Sequence, residues 1–109
     1  MSEEIKIIAI ASEKDNIESV VCPTAGRAPY YLFFENKVLV KAIKNPFAKG
    51  SGGAGFSVVH MLANENVNLV IAGKLGQNMI PALEEKGIKY MEIQNKSIKQ
   101  ILEELQWNY

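Results

Sequence analysis

The apolar and polar positions divide the chain into a strand-like half and a half that alternates helix and strand. Residues 5–11 (Ile-Lys-Ile-Ile-Ala-Ile-Ala) are apolar and β-branched with one charge near the start, the pattern of a central strand covered on both faces. Tyr30 to Phe34 and Val38 to Ile43 are also strand-like and flank Glu35-Asn36-Lys37. This predicts an antiparallel hairpin in which Asn36 accepts left-handed geometry. In its second strand, strict alternation would put Val38, Val40 and Ala42 on one face and Leu39, Lys41 and Ile43 on the other. Phe56, Val59, Leu62 and Ala63 recur at helical spacing in a pattern ending near Asn66. Val67 to Ala72 reads as a second buried strand, and Ile88 to Ile93 as a third strand, of the parallel type. Between them, Gly73 to Asn78 turns into a helix with Asn78 as N-cap, Pro81 in the first turn and Gly87 at C′. Ser97 with Gln100 forms a capping box, and Ile98, Ile101, Leu102 and Leu105 supply a last amphipathic stripe. Ser12 to Asn16 is turn-like, and the state of Ile17 to Cys22 is open.

The order β-β-β-α-β-α-β-α predicts an α/β fold, a mixed five-stranded sheet with helices packed on it and right-handed parallel crossovers. One domain over residues 1–109 is expected from the length. The halves are joined by Asn45 to Phe56, which holds Gly50, Gly52, Gly53 and Gly55, four of the eight glycines. Such a loop can turn its N–H groups toward a common point, and a helix N-terminus follows it, a combination that favours an anion. The competing reading is a plain connection between halves of one sheet.

Composition narrows the classes. Twelve basic residues balance twelve acidic ones, which leaves no electrostatic footprint for nucleic acid or an anionic membrane. The apolar runs fall short of a bilayer span, and the acidic start Met-Ser-Glu-Glu does not resemble an export signal. One cysteine excludes an internal disulfide framework, so a cytoplasmic location is expected.

In an open α/β sheet, ligands gather beyond the C-terminal ends of strands. Ser12–Asn16, Asn45–Gly55 and Gly73–Asn78 are expected to meet there. Neither glycine loop fits a Walker or dinucleotide fingerprint, which argues against ATP and dinucleotide enzymes. Cys22 lies five residues before Arg27. A thiol beside a guanidinium has its thiolate favoured, the form that binds soft metals or iron–sulfur units; otherwise Cys22 is a small buried hydrophobe. His60, the only histidine, is a second candidate metal ligand or simply an exposed side chain. Two such ligands cannot close a four-ligand zinc site. No nucleophile–base–orienter set is visible, and Asp15 is the only aspartate, so a nuclease centre is hard to assemble. Trp107 and Tyr109 are expected to cap the core or to make a subunit contact, as in a homodimer.

Gly26-Arg27-Ala28-Pro29-Tyr30-Tyr31, Asn45-Pro46, the glycines 50–55, Ile71 to Asn78 and Ala82 to Ile88 stand in an order and spacing that resembles one family. It is the dinitrogenase iron–molybdenum cofactor biosynthesis family, the NifX/NafY-like domain also found at the C-terminus of NifB. The resemblance covers nearly the whole chain. It implies a ribonuclease H-like fold and a small non-catalytic protein that holds or carries an iron–sulfur or iron–molybdenum-type cluster or its precursor, with metallocofactor assembly proteins as partners. The alternative is an interaction or regulatory module that kept the fold and lost the cluster site. Family members typically carry His-Phe directly before Gly-Arg-Ala, where this chain has Thr24-Ala25; Cys22 is then the candidate substitute ligand. The expected site comprises Cys22, Thr24, Arg27, Asn45, Gly50, Gly52, Gly53, Gly55, Gly73, Gly76, Gln77 and Asn78, with Cys22 and His60 toward metal. Cys22 would supply thiolate, Arg27 charge neutralisation and the loop N–H groups hydrogen bonds to sulfides.

Overall fold

The computed structural model describes residues 7–49 and 54–105. The strands are β1 (Ile7–Ser12), β2 (Tyr30–Glu35), β3 (Val38–Lys44), β4 (Leu69–Ala72) and β5 (Lys89–Glu92). The helices are α1 (Ala54–Asn64), α2 (Met79–Glu85) and α3 (Ile98–Glu104). The strands form one mixed sheet in the order β3-β2-β1-β4-β5. β1–β2 and β2–β3 are antiparallel, whereas β1–β4 and β4–β5 are parallel. The element order is the one the periodicity predicts.

Alternation along β1 sorts the core into two layers. Ala9 and Ala11 face the layer with Tyr31, Phe33, Val58, Leu62, Met79 and Leu83, from β2, α1 and α2. Ile8 and Ile10 face the opposite layer with Leu32, Phe34, Ile71 and the stripe Ile98, Ile101, Leu102 and Leu105. Small residues sit where two helices and two aromatic rings crowd the sheet, and large ones where a single short helix covers it. Each fully buried Ile or Leu contributes roughly 1.5–3 kcal/mol.

The helix ends follow local chemistry. Both α1 and α2 close on a residue with positive φ, Asn66 (60°) and Gly87 (71°). Val67 N–H reaches the Leu62 carbonyl and Asn66 N–H that of Ala63; Ile88 and Gly87 repeat the pattern on Leu83 and Glu84. Each is a Schellman closure, and the pairs Leu62–Val67 and Leu83–Ile88 belong to one core layer, as the motif's apolar contact requires. At α3 the Ser97–Gln100 capping box is complete.

Three expectations change. The hairpin turn is tighter than three residues: Glu35 pairs with Val38, and both Asn36 (φ 54°) and Lys37 (φ 67°) are left-handed. β3 does not alternate strictly, because Phe33 opposes Lys41 while Phe34 opposes Leu39, which leaves Val40 as the extra residue of a bulge. Val38 therefore shares a face with Lys41 and Ile43, and Leu39 shares one with Ala42 and Lys44. Asn78 is not a side-chain cap. It has φ −80° and ψ −22°, already helical, and its side chain accepts no capping bond. The segment left open, 17–22, runs as an arm across the sheet end, with bridges Ser12–Val21 and Val20–Ser97.

Candidate functional site

At the end of the sheet where β1 and β4 finish, two segments face each other. The first wall, residues 23–29, is held from beneath by buried side chains. Asn45, at the end of β3 and 4% exposed, donates from Nδ2 to the carbonyls of Ala28 (2.9 Å) and Gly26 (3.2 Å). Its Oδ1 accepts from Phe47 N–H (3.0 Å), and its own N–H donates to Pro29 O (2.9 Å). The buried Tyr31 hydroxyl donates to Ala25 O at 2.5 Å, and burial pushes its pKa well above the ordinary value. Arg27 stands exposed on this clamped turn, with Nη1 3.5 Å from Ala48 O.

The second wall, residues 73–78, is held by side chains of exposed residues. Glu92 accepts from Leu75 N–H (2.9 Å), and Gln94 donates to Gly73 O (3.0 Å). The walls are stitched by main-chain bonds, Gly73 N–H to Cys22 O (2.8 Å) and Ala25 N–H to Lys74 O (3.0 Å). That approach demands glycine at 73, where a Cβ would lie 2.6 Å from Pro23 Cα. Between the walls and the start of α1 lies an open cleft of about 400 Å³, lined by Gly26, Arg27, Gly55, Gly76, Gln77, Asn78 and Met79.

A profile of the dinitrogenase iron–molybdenum cofactor family matches residues 6–108. The chain belongs to that family. Among solved structures, the apo form of the orange protein from Desulfovibrio gigas superposes with a TM-score of 0.85 at 23% identity, covering 94% of this chain and 88% of that one. A NifB-like protein from Thermotoga, of the DUF35 family, superposes with a TM-score of 0.76 at 22% identity, covering 90% and 84%. At these identities the likeness is one of fold. No curated protein gives a significant match.

The family match spans both walls and associates the chain with the iron–molybdenum cofactor or its precursor. Of the residues expected at the site, Arg27, Gly55, Gly76, Gln77 and Asn78 line one cleft, whereas Ser12–Asn16 is absent from its lining and Gly26 and Met79 take part instead. Gly50, Gly52 and Gly53 lie outside the described residues. Asn45 sits behind the wall, its side chain engaged with backbone on both sides. Gly73 is the seam.

Cys22 does not have the environment expected of a thiolate ligand. It is 4% exposed, packs in the α1–α2 layer and does not line the cleft. Burial, the largest cause, pushes its thiol above the ordinary value, and the Glu13 carboxylate adds to the rise against a hydrogen bond from the Thr24 backbone. Thr24 itself is exposed, with Oγ1 4.0 Å from Sγ. His60 lies on the outward side of α1 between two other clefts, one reaching Phe47 and Glu65, the other Pro81 and Lys86. Among the described residues no group of three or more His, Cys, Asp and Glu could hold a metal ion, and no helix is long and apolar enough to cross a membrane. The clamps Tyr31, Glu92 and Gln94 were not foreseen; only Tyr31 lies inside a motif that marked the site.

Proposed function

We propose that this chain is a non-catalytic binding or carrier protein for an anionic iron–sulfur-type cluster, an iron–molybdenum cofactor or its precursor, passed between assembly proteins in the cytoplasm. The fold is read as ribonuclease H-like on the strand order 3-2-1-4-5. The observation that carries the functional reading is Arg27 on a clamped turn, facing the carboxamide-bearing Gln77 and Asn78 across an open cleft. A guanidinium presents several donors in a fixed fork, and carboxamide N–H groups add neutral donors, a set suited to the sulfide or oxide surface of a cluster. Fit by direct metal ligation is poor, because Cys22 is buried and His60 faces elsewhere. Charge and hydrogen bonds to a cluster bearing its own ligands would then do the holding.

The test is anaerobic titration of the protein with a preformed, thiolate-capped iron–sulfur cluster, followed by desalting, metal analysis and visible absorbance. Retained stoichiometric metal is expected, lost on Arg27→Gln and kept on Cys22→Ala. Equal retention in Arg27→Gln removes the cleft from the reading. No retention in the parent protein favours the second reading, an interaction module that lost the cluster site. That alternative draws on exposed Val38, Leu39 and Val40 along the outer strand β3.

A further inference from the structure

Glycine costs a folded chain conformational entropy, so a glycine without a local need for it points elsewhere. Gly87 has a need, a φ of +71°. Gly73 has one, the backbone of Pro23 at 2.6 Å from a would-be Cβ. Gly55 would place a Cβ in ordinary contact with Met79 Cβ at 3.5 Å. Gly76 has neither constraint. Its φ is outside the left-handed region, and no described heavy atom lies within 4 Å of where its Cβ would stand. It is exposed on the lining of the cleft that also contains Arg27.

We infer that Gly76 is where a bound ligand meets the backbone of the second wall, and that the missing side chain sets how closely a compact anionic metal–sulfur group can approach Arg27. The space that a methyl group would take is left to the ligand. Gly76 carries a second duty, since its carbonyl accepts from Met79 N–H (3.0 Å) and Ile80 N–H (3.3 Å) at the start of α2, but a side chain at 76 leaves that carbonyl in place. Among the described residues, then, nothing at position 76 resists a small side chain in folding, and the constraint falls on binding. This inference rests on the reading of the cleft as the cluster-binding site.

The experiment compares the parent protein with Gly76→Ala, Gly76→Val and Gly87→Ala. Thermal unfolding is recorded for each, together with anaerobic binding of the preformed, thiolate-capped iron–sulfur cluster by absorbance and metal retention. Gly76→Ala is expected to melt at the same temperature or a few degrees higher, yet to bind about tenfold more weakly, with Gly76→Val weaker still. Gly87→Ala, strained and remote from the cleft, is expected to melt lower and bind normally. Unchanged binding in both Gly76 variants overturns the inference while leaving the cleft reading intact. A lower melting temperature in Gly76→Ala also overturns it, because the glycine would then be structural. Failure of the parent protein to bind defeats the cleft reading itself.

Discussion

The two walls of the cleft are built by opposite means. The first wall is clamped from inside the protein: Asn45 is buried and bonds three backbone groups through its side chain, and Tyr31 bonds a fourth. The second wall is tied by Glu92 and Gln94, whose residues are exposed. A buried polar group that loses its partner bears the full desolvation cost, whereas water can replace a partner at the surface. The first wall is therefore the fixed part, and it carries the charge, Arg27. The second wall lends the cleft lining neutral carboxamides, with Lys74 outside the lining, and can adjust. A site for an anionic cluster gains from fixing its charge while letting its other donors adapt.

Removing one clamp from each wall breaks this comparison most directly. Asn45→Ala leaves the Gly26 and Ala28 carbonyls and the Phe47 N–H without their partner, and a loss of about 2–3 kcal/mol is expected. Glu92→Ala removes a single, part-buried bond, to Leu75 N–H, and is expected to cost about 1 kcal/mol. Urea denaturation of both variants measures the difference. Equal losses would mean that the walls are held alike and that Arg27 is no better fixed than Gln77.

Tyr31 sharpens the comparison through pH. Its folded pKa is raised by burial above the ordinary 10.0, and that of Cys22 above 9.0. Between the ordinary and folded values the unfolded chain binds fewer protons than the native one, so stability is retained below the ordinary values and falls as pH climbs through the alkaline range. Tyr31→Phe is expected to cost about 1.5 kcal/mol at pH 7, the price of leaving Ala25 O unpaired. Its decline with rising pH should nevertheless be shallower than the parent's. An unaltered alkaline slope would show that the hydroxyl ionises without opposing the fold.

Much of the molecule was legible in the sequence because its determinants are local. Periodicity placed the strands and helices, and Gly87, Ser97 and Gln100 act through neighbours a few residues away. The glycine turns and Arg27 were legible as site material for the same reason. Long-range register was not. The bulge at Val40 arises from how β3 lies on β2, so no alternation within β3 alone reveals it. Asn45 looked like a ligand contact because its partners, 17 and 19 residues away, cannot be seen from its surroundings in the chain. Cys22 and Arg27 are close in sequence, yet the segment between them turns the thiol into the core and leaves the guanidinium outside.

The smallest expected effect concerns two helix starts that look alike in the sequence. Ser97, extended at φ −74° and ψ 157°, accepts from Gln100 N–H, and Gln100 Oε1 accepts from Ser97 N–H. Asn78 enters α2 already helical, and the Gly76 carbonyl accepts from Met79 and Ile80 instead. A side chain caps only when its own backbone is extended enough to let it reach forward, so the two polar residues are not equivalent. Ser97→Ala should cost about 1 kcal/mol, and Asn78→Ala should stay within about 0.5 kcal/mol of the parent. The same Asn78→Ala protein should bind the preformed, thiolate-capped cluster more weakly, because the side chain lines the cleft without serving the helix. A stability loss at Asn78 matching that at Ser97 would return it to the role of a cap. The adjustable wall would then lose one of its donors.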